Sequence, residues 1–341
     1  MRILYHLTIK PPKMPQAEAL SQEITALRSR LGGELVYLNP NKGLPVVPRF
    51  LFGFHKLKEL RTREAELDLH HLYNPDPFPF PVLRRLRRPV IYTITGGVGS
   101  HRPNVKFLNA MAAVAVADER TLNRLKDWGV DNCKLVRPGI DTTRFSHTSL
   151  SLQSEIRILV GSAPWTKAQF RTKGVEALLE AARQDDRLHL VFLWRGVLTE
   201  EMERRVSRLG LEKQVTIFKQ LVDVNQVLAT VYASITLATG PGIVKSYPHS
   251  LLESLAAGKP VLVSRAIPMA DFVAETNCGL VLEAVTPEAI LTAVEALKSK
   301  YQTLQKSAQI AGQRDFSQQA MIASYQAVYT DILKNGAATQ L

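Results

Sequence analysis

Glu253 sits five residues beyond Pro248, inside the stretch Lys245 to Ser264, whose residue types suit a phosphate and a neighbouring pair of hydroxyls. Pro248 fits a first helical turn, where its missing N–H costs nothing, and Ser246 just upstream is expected to cap the exposed amides. Leu251, Leu252, Leu255 and Ala256 recur at helical spacing and leave Glu253 on another face. Gly258 and Pro260 end the helix, and Val261 to Val263 read as a buried strand. The start of such a helix, around His249, Ser250 and Leu251, turns free N–H groups and the positive end of the macrodipole toward an anion. A carboxylate at Glu253 can reach past a bound phosphate and accept hydrogen bonds from vicinal hydroxyls, as acidic residues do with ribose. On local pattern alone, a glutamate at this place is more often an ordinary solvent-facing residue.

The elements that must hold this stretch are legible on either side of it. At 341 residues the chain has room for two domains, each able to bury its own core. A hydrophobic fraction of 45% with 22% charged residues is that of a soluble globular protein. Strand-like and helix-like segments alternate: strands at 3–9, 34–38, 67–73, 89–95 and 112–117, with a helix from Ala17 to Leu31 between the first two. A second series follows at 156–162, 189–196, 215–221, 233–239 and 278–283, with helices from about 287. This pattern predicts an α/β chain with doubly wound, mostly parallel sheets, in which ligands bind at the carboxyl ends of the strands. The polar stretch around 146–155 marks the expected boundary, giving domains 1–150 and 151–316.

Two cysteines, Cys133 and Cys278, form neither a disulfide framework nor a zinc spacing, which points to a reducing compartment. No run approaches the roughly 18 apolar residues that span a membrane. A cytoplasmic protein is expected. The formal charge of +12 can attract nucleic acid, anionic lipid or acidic substrates without choosing among them. No nucleic-acid motif accompanies the charge, so nucleic acid is not expected as a partner. In the segment 46–63, Phe50, Leu51, Phe52 and Phe54 mix with Arg49, Lys56, Lys58, Arg61 and Arg63, and a second basic cluster spans Arg84 to Arg88. These segments suit either an anionic membrane surface or a core helix with solvated charges outside. Gly96, Gly97 and Gly99 follow the fourth strand and permit close approach of a substrate, although glycines also mark plain turns. His101 beyond them, and His70 and His71 in the preceding strand, are more often structural than catalytic.

The stretch 245–264 resembles the donor-binding segment of the GT-B glycosyltransferases of family 4, E-x-F-G-x-x-x-x-E-A-x-A-x-G-x-P-V. Glu253, Ala257, Gly258, Lys259, Pro260 and Val261 match in register. The first glutamate of the pattern falls on Lys245, and a histidine that the family often carries near the reacting centre falls on Thr95. The run 130–145 resembles the family's connector, through Pro138, Gly139, Ile140, Asp141 and Phe145. In the family a Lys before the second domain's first helix clamps the donor diphosphate, and Lys173 matches it. Its partner Arg is replaced by Ser162, for which Lys167 or Arg171 can substitute, since neutralising a diphosphate needs nearby charge rather than one residue type. Arg195 ends the next strand on the same side. Where the family often carries a Gly-Gly pair after the first strand, this chain has Met14, Pro15 and Gln16.

The resemblance implies two facing Rossmann-like domains with an interdomain cleft, a donor site in the second, and a terminal helix at about 317–335 packing back on the first. It implies retaining, metal-independent transfer of a hexose from a nucleotide diphosphate sugar, with no further cofactor, to a glycan or lipid-linked hydroxyl acceptor. In that reading Glu253 holds the ribose, the helix N-terminus and Lys173 hold the diphosphate, and Lys245 and Thr95 stand at the reacting centre. Gln16, Gly96, Gly97 and His101 face the acceptor. Attachment to the inner face of a membrane fits a lipid-linked acceptor. A non-catalytic GT-B protein that binds a nucleotide sugar or a partner enzyme is the alternative.

Overall fold

The computed structural model describes residues 1–12, 18–41, 46–151, 154–194 and 197–338. The chain divides into two compact units, residues 1–139 with the helix from Gln318, and residues 140–317.

Unit 1 is built on six strands: β1 (Ile3–Leu7), β2 (Glu34–Tyr37), β3 (Leu69–Asn74), β4 (Val90–Ile94), β5 (Ala113–Val116) and β6 (Cys133–Leu135). They pair in the order β2-β1-β3-β4-β5-β6, all parallel. The order reverses between β1 and β3, which makes that gap the unit's switch point. Helices α1 (Ala19–Leu31), α2 (Leu57–Arg63), α3 (Val105–Asn109) and α4 (Glu119–Asp127) connect the strands. Because successive side chains alternate across a strand, Leu4, Leu72, Tyr92 and Val114 enter one core with Phe80, Phe107 and Leu125. Ile3, Tyr5, Leu69, Tyr73 and Ile91 enter the other, which is closed by Leu20, Ile24 and Leu27 of α1 and by Tyr325 and Tyr329. Burial on both faces explains why these strands read as continuous apolar runs.

The histidines of β3 belong to those cores. His71 hydrogen-bonds the Tyr329 hydroxyl at 2.6 Å and the Thr93 hydroxyl at 2.7 Å. Burial pushes its imidazole down to about 3, so it is neutral at any physiological pH. His70 bridges His6 at 2.9 Å and the Glu64 carboxylate at 3.2 Å, and that carboxylate also accepts from the Arg88 amide at 2.9 Å. Both are structural residues.

Unit 2 carries β7 (Ile156–Val160), β8 (Leu188–Leu193), β9 (Val215–Phe218), β10 (Ala233–Thr236), β11 (Val261–Ser264) and β12 (Gly279–Leu282). Their order, β12-β11-β10-β7-β8-β9, is that of a dinucleotide-binding sheet, with its switch point between β7 and β10. Between the strands run α5 (Ala168–Thr172), α6 (Val175–Gln184), α7 (Thr199–Arg208), α8 (Val224–Leu228), α9 (His249–Ala256) and α10 (Met269–Thr276). The long α11 (Pro287–Asp315) packs against α6 and α9, and α12 (Gln318–Ala338) returns to α1 of unit 1.

The segment 46–63 is not one helix. Pro48 and the left-handed Gly53 (φ 84°) break it into single turns at Arg49–Leu51 and Phe54–Lys56 ahead of α2. Phe52 is buried, whereas Phe50, Leu51 and Phe54 are exposed.

Candidate functional site

The phosphate-binding features expected from the sequence converge at the switch point of unit 2. α9 packs on β10 and β11, and its N-cap residue is Pro248, with no side chain capping the helix. Ser246 therefore does not cap α9 as expected. It is buried instead, and its carbonyl accepts from the Met269 amide at 3.1 Å, tying the loop to α10. The uncapped N-terminus points its dipole at the end of β7. A Cβ on Gly161, the first residue beyond β7, would lie 2.3 Å from the Ser250 Cβ and 2.6 Å from its hydroxyl oxygen. Only glycine allows this approach, which sets the first turn of α9 beside the loop holding Ser162.

Lys173 joins the same loop. Its ammonium donates to the Ala163 carbonyl at 2.9 Å, and burial holds its pKa below the usual lysine value. The next residue, Gly174, adopts φ +69°, and a Cβ there would lie 2.7 Å from a Leu237 methyl, so α6 begins hard against the end of β10. The Thr239 amide, donating to the Thr172 carbonyl at 2.9 Å, closes the loops after β7 and β10 together. Ser162, Ser250, Leu251 and Lys173 thus form one rim, with His249 half-buried in the first turn of α9 and Glu253 half-buried in the next.

Lys167 and Arg171 are exposed, before α5 and on it, and neither makes an ion pair with a described residue. Lys245 is exposed in the loop ahead of α9. Arg195 and Gln16 lie outside the described residues. Within the matched motif, Lys259 serves the fold rather than a ligand. It is fully buried and donates to the Thr148 carbonyl at 2.6 Å, and burial pushes its ammonium down to about 8. Gly258 beside it (φ +70°) has no room for a Cβ, which would sit 2.1 Å from His147 Nδ1, so the segment 147–148 is seated on this turn.

In unit 1 the loop after β4 begins at Thr95, whose amide donates to the Asn74 carbonyl at 2.9 Å. Gly96 is held to the Pro75 carbonyl at 2.8 Å, and Gly97 takes φ +79°. His101 is exposed. Asn74 anchors a cluster at the switch point that sequence reasoning did not single out. Its side-chain oxygen accepts from Thr8 and from Arg49 at 3.0 Å, and its amide donates to the Asp76 carboxylate at 2.8 Å. Arg49 grips that carboxylate through two hydrogen bonds, 2.7 and 2.8 Å, while lying 4.4 Å over the Phe78 ring. Burial works to raise the Asp76 carboxyl, but Arg49 and Asn74 hold it below the usual range. The signal in the sequence was the polar pair Asn74 and Asp76 at the end of a buried strand.

Two parallel six-stranded α/β sheets, the second with the N-terminus of α9 at its switch point, are the architecture of the GT-B glycosyltransferases. Residues 166–314 match the family model described as glycosyl transferases group 1. A glycosyltransferase from Rickettsia africae superposes with a TM-score of 0.76 at 15% identity, over 98% of this chain and 99% of that one. Sucrose-phosphate synthase from Thermosynechococcus elongatus superposes with 0.74 at 14% identity, over 98% and 100%. The Anabaena protein HepE, in complex with UDP and glucose, superposes with 0.70 at 15% identity, over 97% and 100%. No curated protein matches the chain by sequence. The fold is therefore that of the GT-B glycosyltransferases, and within it residues 166–314 are similar to glycosyl transferases group 1.

Proposed function

We propose that the chain transfers a hexose from a uridine diphosphate sugar to a hydroxyl of a glycan or lipid-linked acceptor, with retention at the anomeric carbon and without a metal ion. The observation that carries this reading is the contact of the uncapped α9 N-terminus with Gly161, beside Lys173. A diphosphate set there meets helix N–H groups and an ammonium whose charge is already partly desolvated, which strengthens its attraction for an anion. Lys167 or Arg171 supplies the second cation as the C1–O bond breaks and negative charge grows on the leaving group. Glu253, one turn into α9, holds the ribose. Lys245 contacts the transferred sugar in place of the family's carboxylate, and Thr95 stands on the acceptor side with Gly96, Gly97 and His101. The UDP in the HepE complex supports uridine as the base.

Thermal unfolding in the presence of UDP tests the donor site. UDP at about 100 times its dissociation constant should stabilise the protein by roughly 2.7 kcal/mol. Glu253→Ala should remove most of that shift. No shift with UDP, GDP or ADP would sink the reading.

We further propose a cytoplasmic protein that works at an anionic membrane. No helix among the described residues is long and apolar enough to cross one. Val46, Phe50, Leu51 and Phe54 are 64%, 52%, 40% and 37% exposed, and Lys58 and Arg61 follow on the exposed side of α2. Apolar side chains beside cations suit the headgroup boundary, where each basic residue contributes on the order of 1 kcal/mol. Phosphatidylglycerol vesicles should co-sediment the protein at low salt and release it at high salt. Failure to sediment at low salt removes the proposal.

A further inference from the structure

Unit 1 holds a cavity of about 870 Å³ at the β2 edge of its sheet, between the segments after β1 and β2 and the start of α2. Its size falls within the range of small-molecule sites. Lys10 comes from the segment after β1, Tyr37 and Asn39 from the end of β2 and beyond, and Lys56, Glu59 and Arg63 from α2 and the turn before it.

The charges of the wall do not cancel. Arg63 is matched, because it pairs with Glu34 and, at 3.5 Å, with Glu59. Lys10 and Lys56 make no ion pair with any described residue, although they line the same space. A run of backbone hydrogen bonds fixes the walls relative to one another. The Leu38 amide donates to Leu7 at 2.7 Å, the Gly53 amide to Leu38 at 3.0 Å, and the Lys56 amide to Gly53 at 3.0 Å. The end of β1, the end of β2 and the turn carrying Lys56 therefore form one braced frame. Asn41 is also tied to Val47: its side chain accepts from the Val47 amide at 2.7 Å and donates to the Val47 carbonyl at 3.1 Å. Asn39 accepts from the Asn41 amide at 2.9 Å, and its side-chain N–H groups have no acceptor among the described residues. Two uncompensated ammonium groups, an amide and a phenol around a sugar-sized space complement a polyhydroxylated molecule that carries an oxyanion.

We propose that this cavity binds the oxyanion-bearing part of the acceptor, a phosphorylated or carboxylated sugar, with Lys10 and Lys56 as its counter-charges. That the ligand is an acceptor rests on the transferase reading, whereas the binding of a charged sugar does not. Calorimetric titration of the full chain with glucose 6-phosphate, glucuronate and glucose, at low and at physiological salt, provides the test. At least one charged sugar should bind, glucose should bind roughly tenfold more weakly or not at all, and Lys10→Ala/Lys56→Ala should lose about the same factor. A preference for glucose 6-phosphate assigns a phosphate, and a preference for glucuronate assigns a carboxylate. Equal binding of glucose, unchanged binding by the double variant, or no binding of either charged sugar at millimolar concentration overturns the proposal. UDP-induced stabilisation, measured on the same samples, separates the two readings. Its absence with charged-sugar binding intact fails the transferase reading alone, and its presence without charged-sugar binding fails the cavity alone.

Discussion

An alanine at position 161 is expected to leave a folded protein that UDP no longer stabilises. Its Cβ would stand 2.3 Å from the Ser250 Cβ, where non-bonded carbons settle at about 3.5 to 4.0 Å. Relief requires α9 to retreat, yet the other side of that helix is blocked. A Cβ on Gly312 of α11 would already lie 2.3 Å from the Leu255 carbonyl carbon, so the two helix backbones are at closest approach. The displaced methyl must therefore be absorbed by the β7 loop and the first turn of α9, the two parts assigned to the diphosphate. Overpacking of this kind costs roughly 1–3 kcal/mol. The melting temperature should fall by several degrees, and the UDP-dependent rise should disappear. A Gly161→Ala variant with the wild-type UDP shift would falsify the placement of the donor phosphates beside Gly161 and Ser250.

Raising the pH from about 8 toward 10 is expected to strengthen the fold through Lys259, against the usual trend in alkali. The ammonium is fully buried and its pKa is pushed down to about 8, while in the unfolded chain a lysine titrates near 10.4. Between those values the unfolded state binds more protons than the folded one, so the free energy of unfolding rises with pH. The full difference amounts to at most roughly 3 kcal/mol. Below pH 8 both states are protonated and the gain is absent. Urea unfolding of the wild type and of Lys259→Met at pH 7, 8.5 and 10 measures the effect by difference. The methionine variant should lack the increment, and parallel pH curves for the two proteins would exclude Lys259 as its source.

The fold was largely open to reading because parallel strands buried on both faces produce unmistakable apolar runs. Strands such as 156–160 and 113–116 fall within the segments expected for them. The motif around Glu253 was equally plain, since Pro248 and Gly258 bound the helix they were expected to bound. Ser246 misled because a serine ahead of a helix satisfies a local rule, while the packing of its loop on α10 is a tertiary fact. Lys259 looked like a motif letter, and nothing local showed that its ammonium is buried against Thr148. The Arg49–Asp76 pair joins residues 27 positions apart, a distance over which sequence periodicity carries no information. The charge balance of the β2-edge cavity was hidden for the same reason, since Arg63 is neutralised by Glu34 from another element.

The return of α12 to unit 1 sets the order in which the molecule can be completed as it leaves the ribosome. Residues 140–317 are one continuous segment, whereas the core that holds His71 lacks Tyr325 and Tyr329 until that whole segment has been made. The earlier-translated unit is therefore finished last, and its half-built face, with His71 and Thr93 still lacking their tyrosine partners, waits exposed through the synthesis of everything between.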